Sequence, residues 1–97
     1  MSKRYVLFLG SANLSEEDLR MFSDFIRGRH PEAKVIPIRE NPRAVIVKTT
    51  NEVVPLLRDT GSGLKVGETD LVSVLTSGAI GNLKRRASAA GANGEVS

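Results

Sequence analysis

Ninety-seven residues, 40% hydrophobic and 26% charged, make one globular domain with a modest core. Fourteen Lys and Arg against eleven Asp and Glu give a net charge of +3, which permits a polyanionic partner without requiring one. The chain has no cysteine, which excludes disulfides and thiolate metal sites, and no apolar run approaches the roughly 18 residues that a membrane span needs.

The opening MSKRYVLFLG reads as a basic lead into a strand; its apolar stretch is too short for a signal peptide, and a cytoplasmic protein is expected. Tyr5 to Leu9 is an unbroken apolar run and predicts a buried central strand. Ser15 then caps a helix whose first turn carries Glu16, Glu17 and Asp18 at the positive end of the dipole. Leu14 and Leu19 have the spacing of a hydrophobic staple, and Leu19, Phe22, Phe25 and Ile26 recur at helical spacing on the face that should meet the core. Gly28 and Pro31 are read as the end of this helix.

Lys34 to Arg39 contains Pro37, which cannot donate to a ladder, so this strand belongs at a sheet edge. After the Asn41-Pro42 turn, the β-branched run from Ala44 to Lys48 predicts a second central strand. Asn51 is read as the cap of a short helix holding Val53, Val54, Leu56 and Leu57, with Pro55 tolerated near its start and Gly61-Ser62-Gly63 ending it. Residues 64 to 69 read as a loop and Leu71 to Leu75 as the fourth strand. A third helix follows from Ala79 to about Ala90, with Ile80, Leu83, Ala87 and Ala90 as its apolar stripe. Residues 1–90 form the expected domain, and 91–97 a flexible tail.

The order β-α-β-β-α-β-α predicts an α+β fold, a ferredoxin-like sandwich of four antiparallel strands and two helices, with an extra C-terminal helix over the open sheet face or one end of the sheet. That fold hosts RNA binders, metal chaperones, ligand-binding regulatory domains and enzymes, so function must come from a site.

Catalytic chemistry finds little footing. His30, the only histidine, stands before Pro31 at a helix end, where a cation suits the dipole. No serine has a Gly-x-Ser-x-Gly setting, and the acids at 16 to 18 are explained by the helix start. Neither a metal nor a cofactor is expected.

The most site-like stretch is 70 to 86, DLVSVLTSGAIGNLKRR. A strand that turns at Ser77-Gly78 into a helix leaves backbone N–H groups free for a phosphate, and Lys84, Arg85 and Arg86 follow on that helix. Lys3, Arg4, Arg43 and Lys48 add cations at strand ends. These nine residues, Ser77 and Gly78 with the seven cations, are the candidate RNA-binding set.

Two resemblances bear on this reading. LFLGSANL, residues 7 to 14, resembles a ribonucleoprotein motif of the RNA recognition motif, yet RAVIVKT has none of the aromatic residues that family carries in its third strand, and Tyr5 and Phe8 lie on opposite faces. The wider resemblance is to the small protein subunit of ribonuclease P of the Pop-five type. KRYVLFL is similar to that family's first strand. RAVIVKTTNEVVPLLRD resembles its Arg-Gly-Ile-Ile-Arg strand and following helix, and SVLTSGAIGNLKRRA its apolar strand, Ser-Gly-Thr-Ile turn and basic helix. Ala79 stands where that threonine is usual, and Lys48 stands near the second strand arginine. The resemblance implies a protein without catalytic residues that stabilises the catalytic RNA for 5′ maturation of precursor tRNA, hydrolysis belonging to the RNA and its metal ions. It also implies that the chain pairs with the larger barrel-shaped subunit and meets precursor tRNA only indirectly. A second copy of the chain is another partner to expect. The alternatives are a stand-alone domain that binds single-stranded RNA across its open sheet, and a regulatory domain that binds a small ligand.

Overall fold

The structure is a computed structural model that describes the backbone of residues 3–60 and 64–93 and the side chains of 3–59 and 64–86. Its elements are β1 (Lys3–Gly10), α1 (Glu16–Arg29), β2 (Lys34–Pro37), β3 (Ala44–Thr50), α2 (Val54–Thr60), β4 (Leu64–Val66), β5 (Thr69–Ser77) and α3 (Ile80–Asn93). The fold is α+β. All strand pairs are antiparallel, in one five-stranded sheet of order β2-β3-β1-β5-β4. As Pro37 requires, β2 lies at an edge; β1 and β3 are interior, as their apolar runs require.

Alternation along the strands divides the core in two. Val6 and Phe8 of β1, Val45 and Val47 of β3 and Leu71 of β5 pack with Phe22 and Ile26 of α1 and Leu57 of α2. Leu7 and Ile46 face the other way and pack with Leu83 of α3. The sheet therefore carries α1 and α2 on one face and α3 on the other, since residues two apart share a face. Of the expected α1 stripe, Phe22 and Ile26 are buried while Leu19 and Phe25 pack at its margin. The α1 start is a capping box: the Asp18 N–H donates to Ser15 Oγ (3.1 Å) and the Ser15 N–H to Asp18 Oδ2 (3.1 Å). At the other end, His30 is the C-cap and its N–H reaches the Ile26 carbonyl.

Several boundaries differ from the sequence expectation. The sheet has five strands because residues 64–69 are not a loop: Leu64–Val66 pairs with Thr69–Leu71 across a two-residue turn. Gly67 takes φ +62 there, the first-position glycine that hairpin turns of this length favour, and Gly67-Glu68 is a weaker signal than Asn-Gly. Helix α1 runs through Gly28 to Arg29, because glycine inside a last turn costs little when its neighbours continue the ladder. Asn51 does not cap α2; it sits in the preceding turn, and its side-chain oxygen accepts a hydrogen bond from Arg4 Nε. Helix α3 extends to Asn93, so 91–93 are helical rather than tail. The stop at Gly61-Ser62-Gly63, the Ala87 and Ala90 side chains and residues 94–97 lie outside the described residues. No helix among the described residues is long and apolar enough to cross a membrane.

Candidate nucleic-acid interface

Strand β5 is two residues longer than expected at each end, so Thr76 and Ser77 are in the ladder, opposite Val6 and Tyr5 of β1. The chain turns at Gly78 and α3 returns over the sheet, anchored by fully buried Leu83. Between the end of β5 and the flank of α3 lies an open groove of about 630 Å³, lined by Leu75, Thr76, Ser77, Asn82, Arg85 and Arg86. Two of the three cations expected on this helix therefore line one cleft. Lys84 does not, because at 100° per residue it stands about 200° around the helix from Arg86.

The contact that positions Arg85 is neutral. Arg85 Nη2 donates to Asn82 Oδ1 at 2.7 Å, one helical turn back. An amide oxygen fixes the guanidinium without cancelling its charge, whereas a carboxylate would do both. Arg4 is held the same way: its Nε donates to Asn51 Oδ1. Its Nη1 lies over Gly78, where an added Cβ would fall directly on it. Glycine at 78 thus makes room for an arginine from β1 beside the start of α3. Gly78→Ala is expected to displace the Arg4 guanidinium with little loss of stability, since the far end of a long side chain can move. RNA binding should weaken by about one phosphate contact, roughly 5- to 8-fold at 0.1 M salt. RNA titration beside thermal unfolding checks this, and unchanged affinity would remove Arg4 from the interface.

The expected phosphate nest is partly occupied. Ser77 Oγ accepts from the Ala79 N–H (3.1 Å), so that donor is already satisfied. The turn into α3 is closed by its own serine, and the anion-facing chemistry lies mainly in the arginines.

The remaining cations divide by position. Lys48 is half-buried on β3 directly opposite Tyr5, in the same row of the sheet as Ser77, and exposed Lys3 lies at the same end, opposite Thr50. Arg43 is at the other end, where its carbonyl accepts from the Gly10 N–H. Five residues of strand, roughly 17 Å, separate Gly10 from Tyr5. Arg43 is therefore not brought to the groove.

Sequence reasoning missed Asn82, Asn51, Leu75 and Thr76. Asn82 was findable, being three residues before Arg85 on one helix. Asn51 was not, because 47 positions separate it from Arg4. No protein-family model matches this chain, and no curated protein matches it.

Proposed function

We propose that this chain is the protein component of ribonuclease P, binding and stabilising the catalytic RNA for 5′ maturation of precursor tRNA. The observation that carries the reading is the groove beside α3, which Arg85 and Arg86 both line and where the amide of Asn82 positions Arg85 without cancelling its charge. Such contacts to phosphates fix an RNA without reading its sequence. The resemblance in KRYVLFL, RAVIVKTTNEVVPLLRD and SVLTSGAIGNLKRRA supplies the identity of the RNA.

The fold reading is ferredoxin-like. Without β4, the strands run β2-β3-β1-β5, with α1 and α2 as crossovers on one face; β4 is a hairpin addition and α3 covers part of the opposite face. Leu83 of α3 packs on Leu7, with Tyr5 at the margin of the same cluster. That position weighs against the alternative in which an open sheet stacks bases.

A protein partner belongs to the proposal. β4 pairs only with Thr69–Leu71, so among the described residues Val72–Ser77 have no partner on their outer side. Val72, Val74 and Leu75 are 37–47% exposed along that open edge. An uncharged strand edge with apolar side chains invites cover, and the larger barrel-shaped subunit is the proposed occupant. A cytoplasmic location fits an RNA-processing role.

Purification from the native cell, with sequencing of co-purifying RNA, tests the proposal. Enrichment of ribonuclease P RNA together with the larger subunit is expected. Recovery of the folded protein with no RNA, or with unrelated RNA alone, would overturn it.

A further inference from the structure

The ladder places two lysines side by side with no acid between them. Lys34 of β2 is the direct partner of Lys48 of β3, which in turn is the partner of Tyr5, itself opposite Ser77. Directly paired residues project from one face, and here it is the face that carries α3, because Ile36, Ile46 and Leu7 of the adjoining row pack with Leu83. Like charges opposite one another in an antiparallel pair destabilise it. Among the described residues, neither lysine has a carboxylate within salt-bridge reach.

An edge-strand lysine has an ordinary explanation, since charge blunts an open edge. That accounts for Lys34 but not for Lys48, which is half-buried on an interior strand. A cost retained at an interior position is relieved when an anion sits between the two ammonium groups.

We infer that Lys34 and Lys48 form a second phosphate-binding point, and that one single-stranded RNA is held on both flanks of α3. The inference rests on the groove reading above. Helix α3 lies over β1 and β5, the groove opens on its β5 side, and the lysine pair stands on the β3 and β2 side. Lys84, opposite Arg86 on the helix, leaves α3 on the lysine side. From Ser77 to Lys34 is three strand spacings, roughly 14 Å. Between them α3 rises from the sheet as a rod about 10 Å across. A duplex is too stiff to bend around such a rod, with a persistence length of about 50 nm for DNA, whereas a single strand bends freely.

The test is titration of a single-stranded oligouridylate of about sixteen nucleotides, the upper end of single-strand site sizes, at several salt concentrations. The proteins are wild type, Lys34→Gln/Lys48→Gln and Arg85→Ala/Arg86→Ala. The lysine variant should lose about 1.4 from the slope of log affinity against log salt, one contact of about 0.7 per lysine on a single strand. Its melting temperature at low salt should equal or exceed that of wild type, because a like-charge pair is gone. The single change Lys34→Gln, at an exposed edge residue, should lose half as much slope and guards against misfolding of the double variant. Wild-type affinity and slope in the lysine variants, with loss in the arginine variant, would overturn this inference and leave the groove reading standing. The converse would remove the groove and with it the path over both flanks of α3, overturning the inference and leaving the lysine pair alone as an anion point. Failure of wild type to bind the oligouridylate would overturn the inference alone, the groove being judged on the catalytic RNA.

Discussion

Phe22→Ala is expected to lower the free energy of unfolding by about 3–5 kcal/mol, the usual cost of truncating a fully buried phenylalanine. Phe22 has no exposed surface, and its ring meets Phe8 of the central strand edge-on, with centroids 5.2 Å apart and planes at 66°. That contact ties α1 to the middle of the sheet, and edge-to-face pairs contribute about 0.5–1.5 kcal/mol beyond the area they bury. Marginal domains of this kind are stable by about 5–15 kcal/mol, so the loss would leave much of the population unfolded at mild denaturant concentrations. Urea unfolding gives the measurement: the midpoint should fall with the slope unchanged, as expected when stability changes and compactness does not. A loss under roughly 1 kcal/mol would mean that Phe22 does not lie in the core of the isolated protein.

Arg85→Ala/Arg86→Ala is expected to weaken binding to the catalytic RNA by about 25- to 60-fold at 0.1 M salt. Each phosphate contact contributes roughly 0.7 to 0.9 to the salt slope, which corresponds to about 5- to 8-fold at that concentration relative to 1 M. Both side chains line the groove and are exposed, whereas Leu83, which anchors α3, is fully buried and Ile80 packs beside it. Alanine is the best helix former, so the fold should persist. The loss should be nearly equal for any RNA sequence, because phosphates carry no sequence information. Adding Lys84→Ala should cost a further contact from the other flank of the helix. Thermal unfolding measured on the same samples separates lost contacts from a lost fold.

What could be read from the chain was what depends on local pattern. The unbroken runs at Tyr5–Leu9 and Ala44–Lys48 are interior strands, Pro37 marks an edge, and Ser15 with Asp18 closes the start of α1. Each of these is decided within a few residues. The hairpin at Gly67 escaped notice because β4 is only three residues long and has too little alternation to signal a strand. Asn51 resembles a helix cap because it precedes an apolar helical segment, but its oxygen is claimed by Arg4 from the neighbouring strand. The site was legible in the same uneven way. Lys84, Arg85 and Arg86 are adjacent in sequence, yet the helix divides them between two flanks, and only the packing of Leu83 determines which pair shares the groove. Arg43 and Lys48 both read as strand-end cations, and the register puts them toward opposite ends of β3. The Lys34–Lys48 pair depends wholly on register, which no local pattern determines.

The central claim, that charge in the groove holds an RNA backbone, is tested most directly by titrating the catalytic RNA at salt concentrations from about 50 to 200 mM, a range over which phosphate contacts change affinity steeply. Log affinity for the wild-type protein should fall linearly with log salt. For Arg85→Ala/Arg86→Ala the line should be shallower by about 1.4 to 1.8, with the fold intact. A folded double variant that follows the wild-type line in both affinity and slope would contradict the claim, and Arg85 and Arg86 would then be no more than a solvated face of α3.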